Sequence, residues 1–340
     1  MRGVVLHGPG DIRVEERPDP VLQEDTDAII RVTSTCVCGS DLWGYRGLDP
    51  QTEPSPMGHE YLGVVEEVGS GVRELAVGDR VVGSFVASDN TCEICRAGYQ
   101  SRCRHQVFMA GIGTQAEYAR IPLADGTLVR IPGAPTAQQE RSLLAASDVL
   151  GTGWFGSTTA QAGPGKSVAV VGDGAVGLMA VLAARYAGAE HVIAMSGHAD
   201  RQELAEHFGA TEIVTERGEA AAERVRDLTG GYGAHSTVEA VGTQESMQQA
   251  VAGTRPGGHV GFLGVSHDVE VSGADLFFAT VHLHGGPAPV RRFLPELVDL
   301  IMTGRIDPSP VFDHTLPLQE AAEAYRAMDE RRAIKVMLTI

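Results

Sequence analysis

Apolar and polar positions along this chain fall into two textures. Before about Leu150, apolar residues come in short runs broken by Gly, Pro and Asp. Examples are Val64–Val68, the turn Gly69–Ser70–Gly71 and then Arg80–Val82, a pattern that predicts a β-rich domain. Beyond that point strand and helix signals alternate. Ser167–Val171 is a continuous apolar run followed by a helical pattern through Ala187, and His191–Met195 is the next strand. Asp200 then opens a helix, with Glu203 in the capping-box position. Strand signals recur at Glu212–Val214, Ser236–Val241, His259–Leu263 and Thr280–His284, with a helix at Ser246–Ala252. Strands alternating with helices in this way predict a doubly wound parallel sheet, an α/β architecture. After Gly286 the pattern is mixed, with helices expected at Leu294–Thr303 and Leu318–Met328 and a last strand at Ala333–Ile340. This tail is expected to complete the first domain. That domain would then be discontinuous (1–149 and 286–340), with the parallel sheet inserted as 150–285.

Composition narrows the class. A chain of 340 residues that is 43% hydrophobic exceeds what one core holds and suits two domains. Its 42 glycines and 5% aromatic content fit tight turns and close backbone–ligand approach better than a helical bundle. A formal net charge of -17 repels nucleic acid and anionic membrane, so neither is an expected partner. The most apolar stretch, Gly174–Ala184, is too short to span a bilayer and is flanked by Asp173 and Arg185. The N-terminal MRGVVLHGPGD has no long apolar run, and a cytoplasmic location is the expectation. Five cysteines, at 36, 38, 92, 95 and 103, crowd the first third, which in such a setting points to metal or catalysis before disulfides.

Gly172-Asp173-Gly174-Ala175-Val176-Gly177 follows a strand and opens a helix, the context in which a GxGxxG loop binds a dinucleotide. Gly172 permits the tight turn, Gly174 the approach of the pyrophosphate, and Gly177 the packing of helix on strand. The free N–H groups of the helix start meet the pyrophosphate. An NAD site commonly sets an acid at the end of the second strand to hold the ribose 2′-hydroxyl. Here that position is Ser196, with His198 and Arg201 nearby as donors to a 2′-phosphate, so NADP(H) is favoured and NAD(H) remains possible. Asp200 reads as the helix cap. Val241 and Leu263, at the ends of two later strands, complete the cofactor-facing positions.

Candidate metal ligands lie in Cys38-Gly39-Ser40-Asp41, Gly58-His59-Glu60 and Ser147-Asp148. A thiolate, an imidazole and a carboxylate suit a catalytic zinc that keeps its fourth position open. Periodicity does not join Asp148 to the other two. CGSD, then GHE with VVEEVGSGV and VGDRV, then GDGAVG, together resemble the zinc-containing medium-chain dehydrogenases from end to end. The likeness is greatest to the bacterial formaldehyde-dehydrogenase-like and threonine- or polyol-type branch. This resemblance implies a GroES-like catalytic domain beside a Rossmann domain. It also implies zinc ligands Cys38, His59 and Asp148, with Glu60 entering during ligand exchange and Asp41 orienting His59. Ser40 falls where the family receives the substrate's hydroxyl proton. Trp43 stands where many members carry a relay histidine, so the proton must leave another way. Trp43, Phe85 and Trp154 occupy pocket positions, and Lys335 matches a basic position that contacts the cofactor pyrophosphate.

Asp89-x2-Cys92-x2-Cys95-x7-Cys103 has the spacing of the family's structural zinc lobe, with Asp89 in place of the first cysteine. A carboxylate oxygen can complete a tetrahedral site. Cys36 matches no ligand position and reads as a small core residue. The implied activity is hydride transfer between NADP(H) or NAD(H) and a small alcohol, aldehyde or ketone, in a homodimer or homotetramer. The tryptophans lean toward an aryl or medium aliphatic alcohol. A formaldehyde–glutathione adduct stays open, although no basic patch for its carboxylates is visible. A zinc-free quinone or enoyl reductase would lack the cysteine lobe and the Cys38/His59 pair. A noncatalytic NADPH-binding protein would be told apart by a zinc assay with a cofactor-oxidation screen.

Overall fold

The computed structural model of the chain describes residues 1–49 and 54–340. It divides into two compact units, Met1–Gly151 with Pro289–Ile340, and Thr152–Ala288.

In the first unit the long strand Ala28–Cys36 is the organiser. It pairs antiparallel with Tyr61–Val68, with Tyr118–Ile121 and with the C-terminal strand Val336–Thr339. Arg80–Gly83 and Leu128–Arg130 extend one side and His314–Pro317 the other. Two apolar clusters fill the unit. One gathers Ile30, Tyr61, Val81, Met109 and Ile121, and the other Leu6, Val37, Tyr325, Val336 and Leu338. Alternation along Ala28–Cys36 is confined to its middle, where Arg31 is exposed and Thr33 half-buried between buried neighbours, while both ends of the strand are buried on either face.

The second unit contains six parallel strands: β1 (Ser167–Val171), β2 (His191–Met195), β3 (Glu212–Val214), β4 (Ala234–Glu239), β5 (Thr254–Phe262) and β6 (His282–Gly285). Their order is β3-β2-β1-β4-β5-β6, so the sheet reverses direction of growth between β1 and β4. In such sheets ligands bind beyond the carboxyl ends of the strands at the reversal. The segments β1, β2 and β3 have the bounds their apolar runs predict. β4 ends at Glu239 rather than Val241, because the buried Glu239 carboxylate accepts the N–H groups of Val241 and Gly242, both at 2.8 Å, and turns the chain there. The helix after β2 spans Ala199–His207 with His198 at its N-cap and no side-chain cap bond, so the capping role expected of Asp200 is corrected. Asp200 sits in the first turn, where its charge favours the helix dipole. Among the described residues no helix is long and apolar enough to cross a membrane.

Candidate active site

In the first unit, Cys38 follows the strand Ala28–Cys36, and His59 and Glu60 immediately precede Tyr61–Val68, so two neighbouring strands deliver them to one place. Gly58 has φ +96, and a Cβ there would lie 2.5–2.7 Å from Gln115 atoms, so only glycine lets the chain turn into His59. Asp148 follows the helix Ala137–Ala146. One ligand atom each from Cys38, His59, Glu60 and Asp148 lies within 4.8 Å of all the others, and all four residues are buried. Asp148 Oδ2 is 3.2 Å from His59 Nε2 and 3.7 Å from Cys38 Sγ. Tetrahedral zinc with bonds of about 2.0–2.3 Å holds its ligand atoms roughly 3.3–3.8 Å apart, so one separation falls in that range and the other within about 0.1 Å of it.

Around these groups lies a hydrogen-bonded shell. Asp41 Oδ1 is 3.2 Å from His59 Nδ1, which leaves Nε2 facing Asp148 and Cys38. Asp41 Oδ2 accepts the Cys38 N–H at 3.0 Å and the Gln115 amide at 3.3 Å, and Gln115 is itself held by the Tyr325 hydroxyl at 3.0 Å. Gln115 and Tyr325 escaped the sequence reading because neither sits near a ligand motif. Burial alone would push the His59 ring down, but Asp41, Cys38 and Asp148 outweigh it and hold the ring well above its ordinary value. Burial pushes the Cys38 thiol up, with Glu60 and Asp148 adding to it. Ligation by zinc would reverse both protonations.

Glu60 is fully buried. Its Oε1 accepts from the Lys335 ammonium at 2.6 Å, while Oε2 has no hydrogen-bond partner among the described residues. Lys335 also donates to the Val37 carbonyl at 3.3 Å and lies 5.8 Å from the Phe312 ring centre. With 1% exposure it is the counter-ion of Glu60. Ser40 is exposed at the N-cap of Asp41–Tyr45, with its hydroxyl uncommitted to the cap. Trp43 is half-buried on that short helix. Phe85 lies edge-on to His59 with ring centres 6.2 Å apart. Trp154 belongs to the second unit, where it is buried and packs on Tyr186 at 5.1 Å.

Asp89, Cys92, Cys95 and Cys103 form the other such group among the described residues, with ligand atoms within 4.8 Å of one another. Asp89 Oδ1 is 3.3 Å from Cys103 Sγ and 3.7 Å from Cys95 Sγ, and Cys92 and Cys95 are 3.4 Å apart. Asp89 Oδ2 meets His105 Nδ1 at 2.6 Å. His105 was missed, although its place two residues after Cys103 was a usable signal. Burial would raise the Asp89 carboxyl, but hydrogen bonds from Thr91, His105, Cys103 and Cys92 hold it well below the usual range. Backbone N–H groups of Arg104 and Cys95 draw the Cys92 thiol down to about 7. Such donors favour thiolate, the form that ligates metal.

In the second unit, Gly172 has φ +115, and a Cβ on Gly177 would lie 2.0 Å from the Gly172 carbonyl oxygen. A Cβ on Gly174 would meet nothing within 4 Å, so open room stands over the start of helix Ala175–Tyr186. That cradle fits a pyrophosphate. Ala175 and Val176 form the helix's first turn. The absence of a carboxylate at the end of β2 is corrected: Asp173 reaches there from the loop. Its Oδ2 accepts the Ser196 hydroxyl at 2.7 Å, and its Oδ1 accepts from Arg201 at 3.1 Å. His198 stands at the following N-cap. Val241 is exposed beyond β4, and Leu263 bonds through its N–H to the Glu239 carbonyl at 2.8 Å.

A buried cysteine–histidine–carboxylate cluster and a Rossmann sheet with an open glycine cradle, carried on one chain, define a metal-dependent dehydrogenase. Comparison with known proteins gives the particular family. "Alcohol dehydrogenase GroES-like domain" matches residues 24–133 and "Zinc-binding dehydrogenase" residues 175–302. The protein named "Probable zinc-binding alcohol dehydrogenase Rv1895" of Mycobacterium tuberculosis is 40% identical, over 96% of this chain and 84% of that one. "Zinc-type alcohol dehydrogenase B" of Aspergillus flavus is 35% identical, over 99% of this chain and 81% of that one. The structure of alcohol dehydrogenase TADH from Thermus sp. ATN1 superposes with a TM-score of 0.91 at 35% identity, covering 100% of this chain and 99% of that one. The chain belongs to the zinc-dependent medium-chain alcohol dehydrogenases and is an oxidoreductase of that class. Zinc and a nicotinamide cofactor go with the family.

Proposed function

We propose that Cys38, His59 and Asp148 hold the catalytic zinc and that this chain oxidises a small alcohol, or reduces the matching aldehyde or ketone, with NADP(H) favoured over NAD(H). The observation that carries the reading is the convergence of the three buried ligand atoms, with Asp148 Oδ2 3.2 Å from His59 Nε2 and 3.7 Å from Cys38 Sγ, close to the separations a tetrahedral zinc imposes. Bound there, zinc supplies a Lewis acid for the substrate oxygen. The chain's own residues do the rest. Asp41 fixes the His59 ring so that Nε2 faces the ion. Ser40, exposed and uncapped, takes the hydroxyl proton and passes it to solvent, since Trp43 stands where a relay histidine would. Trp43 and Phe85 wall the substrate site with apolar surface, which suits an aryl or medium aliphatic alcohol. Glu60, with one oxygen unpartnered, is the carboxylate able to join the shell during ligand exchange.

Asp89, Cys92, Cys95 and Cys103 hold a second, structural zinc, with His105 bracing Asp89. The cofactor rests on Gly172, Gly174 and Gly177, and two guanidiniums near the end of β2 outnumber one carboxylate. These are Arg201 and Arg217, the latter 3.5 Å from where a Gly197 Cβ would lie. The enzyme is a cytoplasmic homodimer or homotetramer in this reading. A matrix of NADP⁺ and NAD⁺ against primary, secondary, aromatic and polyol substrates tests it. Turnover with alcohols that requires zinc is the expected result, and inertness of the zinc-loaded protein toward the whole panel would sink it.

A further inference from the structure

Asp173 lies between the first two glycines of the dinucleotide loop, yet its carboxylate is committed to the neighbouring βα turn. It takes the Ser196 hydroxyl on one oxygen and the Arg201 guanidinium on the other. The register Val171↔Met195 of parallel strands β1 and β2 brings the two turns side by side. The Asp173 and Arg201 side chains retain 19% and 12% of their exposure, so the pair is largely screened from water but its edge is open. The end of the second strand is where a dinucleotide site reads the adenosine 2′-position, a carboxylate taking the hydroxyl or an arginine the phosphate. Here both readers are present and bonded to each other.

We infer that Asp173 tempers the cofactor preference of this chain, keeping NAD(H) admissible through its carboxylate and weakening the hold of the neighbouring guanidiniums on the 2′-phosphate of NADP(H). A ribose hydroxyl can donate to Asp173 while Arg201 stays in place. A 2′-phosphate must draw Arg201 and Ser196 away from Asp173, and it then faces a carboxylate that has lost its counter-charge. The inference rests on the dinucleotide reading of the glycine loop. A purely structural staple between the two turns would lower stability and weaken both cofactors alike, whereas a selector changes their ratio.

The test is fluorescence titration of NADH and NADPH into the purified full-length protein at fixed salt. Wild type is compared with Asp173→Asn, Asp173→Ser and Arg201→Leu, with folding checked by thermal unfolding. Removing the charge should improve the affinity for NADPH relative to NADH by about tenfold or more, and Arg201→Leu should move the ratio the opposite way by a similar factor. Asp173→Ser carries the test if the Asn variant does not fold. A ratio in either Asp173 variant within about twofold of wild type overturns the assignment while leaving the dinucleotide site intact. Wild type that binds neither nucleotide overturns the dinucleotide reading itself.

Discussion

Lys335→Met removes the ammonium 2.6 Å from Glu60 Oε1 while keeping an apolar chain of similar reach. At that separation and an effective dielectric near 20, the lost attraction is about 6 kcal/mol. Desolvating each ion costs several kcal/mol, so the intact pair sits near break-even. The single variant does not, because it leaves a carboxylate with 0% exposure whose second oxygen is already unpartnered. Orphaning such a charge costs about 3–5 kcal/mol. At roughly 2–4 °C per kcal/mol for a folding unit of this size, Tm should fall by about 6–20 °C. Adding Glu60→Gln removes the orphaned charge, so the double variant should recover much of the loss. Thermal unfolding of the zinc-loaded wild type, both single variants and the double completes the cycle. A Lys335→Met shift within about 2 °C, or a double variant no more stable than Lys335→Met, would refute the ion-pair reasoning.

Three further outcomes follow from contacts already described. Gly177→Ala sets a methyl 2.0 Å from the Gly172 carbonyl oxygen, so the loop must move; NADPH affinity measured by titration should drop more than about tenfold, and unchanged affinity would count against the cradle. Asp89→Ala should lower bound zinc by about one ion per chain, read by metal analysis, while alcohol oxidation per remaining active centre changes less; retention of both ions would exclude Asp89 as a ligand. His235 and His259 are held below their ordinary value of 6.5, by burial first and then by Arg255 and Lys166 for one, His282 and Lys166 for the other. The unfolded chain then takes up protons first, so stability present above pH 6.5 is lost as pH falls through the lower folded values. His235→Asn should flatten that loss in thermal unfolding followed from about pH 7 to about pH 5, and parallel curves would contradict it.

What could be read from residues alone divides along physical lines. β1 and β2 were legible because each is a buried apolar run with a glycine turn after it or a helix before it. β5 was read only from His259 onward, since Arg255, Gly257 and Gly258 at its start carry no strand signal. Asp148 is 3.2 Å from His59 but eighty-nine residues away in sequence, and only family likeness joined the two. The Asp173–Arg201 contact crosses between two βα turns, so neither local pattern nor spacing reveals it. Lys335 lies between buried Ile334 and Val336 near the chain end, and its pattern does not tell a solvated lysine from one paired inside the core.

The most direct test of the central claim is zinc content measured beside alcohol-dependent reduction of NADP⁺, in wild type and in Cys38→Ser. Wild type should hold about two zinc ions per chain and the variant about one, with activity lost along with that ion. A Cys38→Ser protein that keeps both ions and turns over alcohol as wild type does would contradict it.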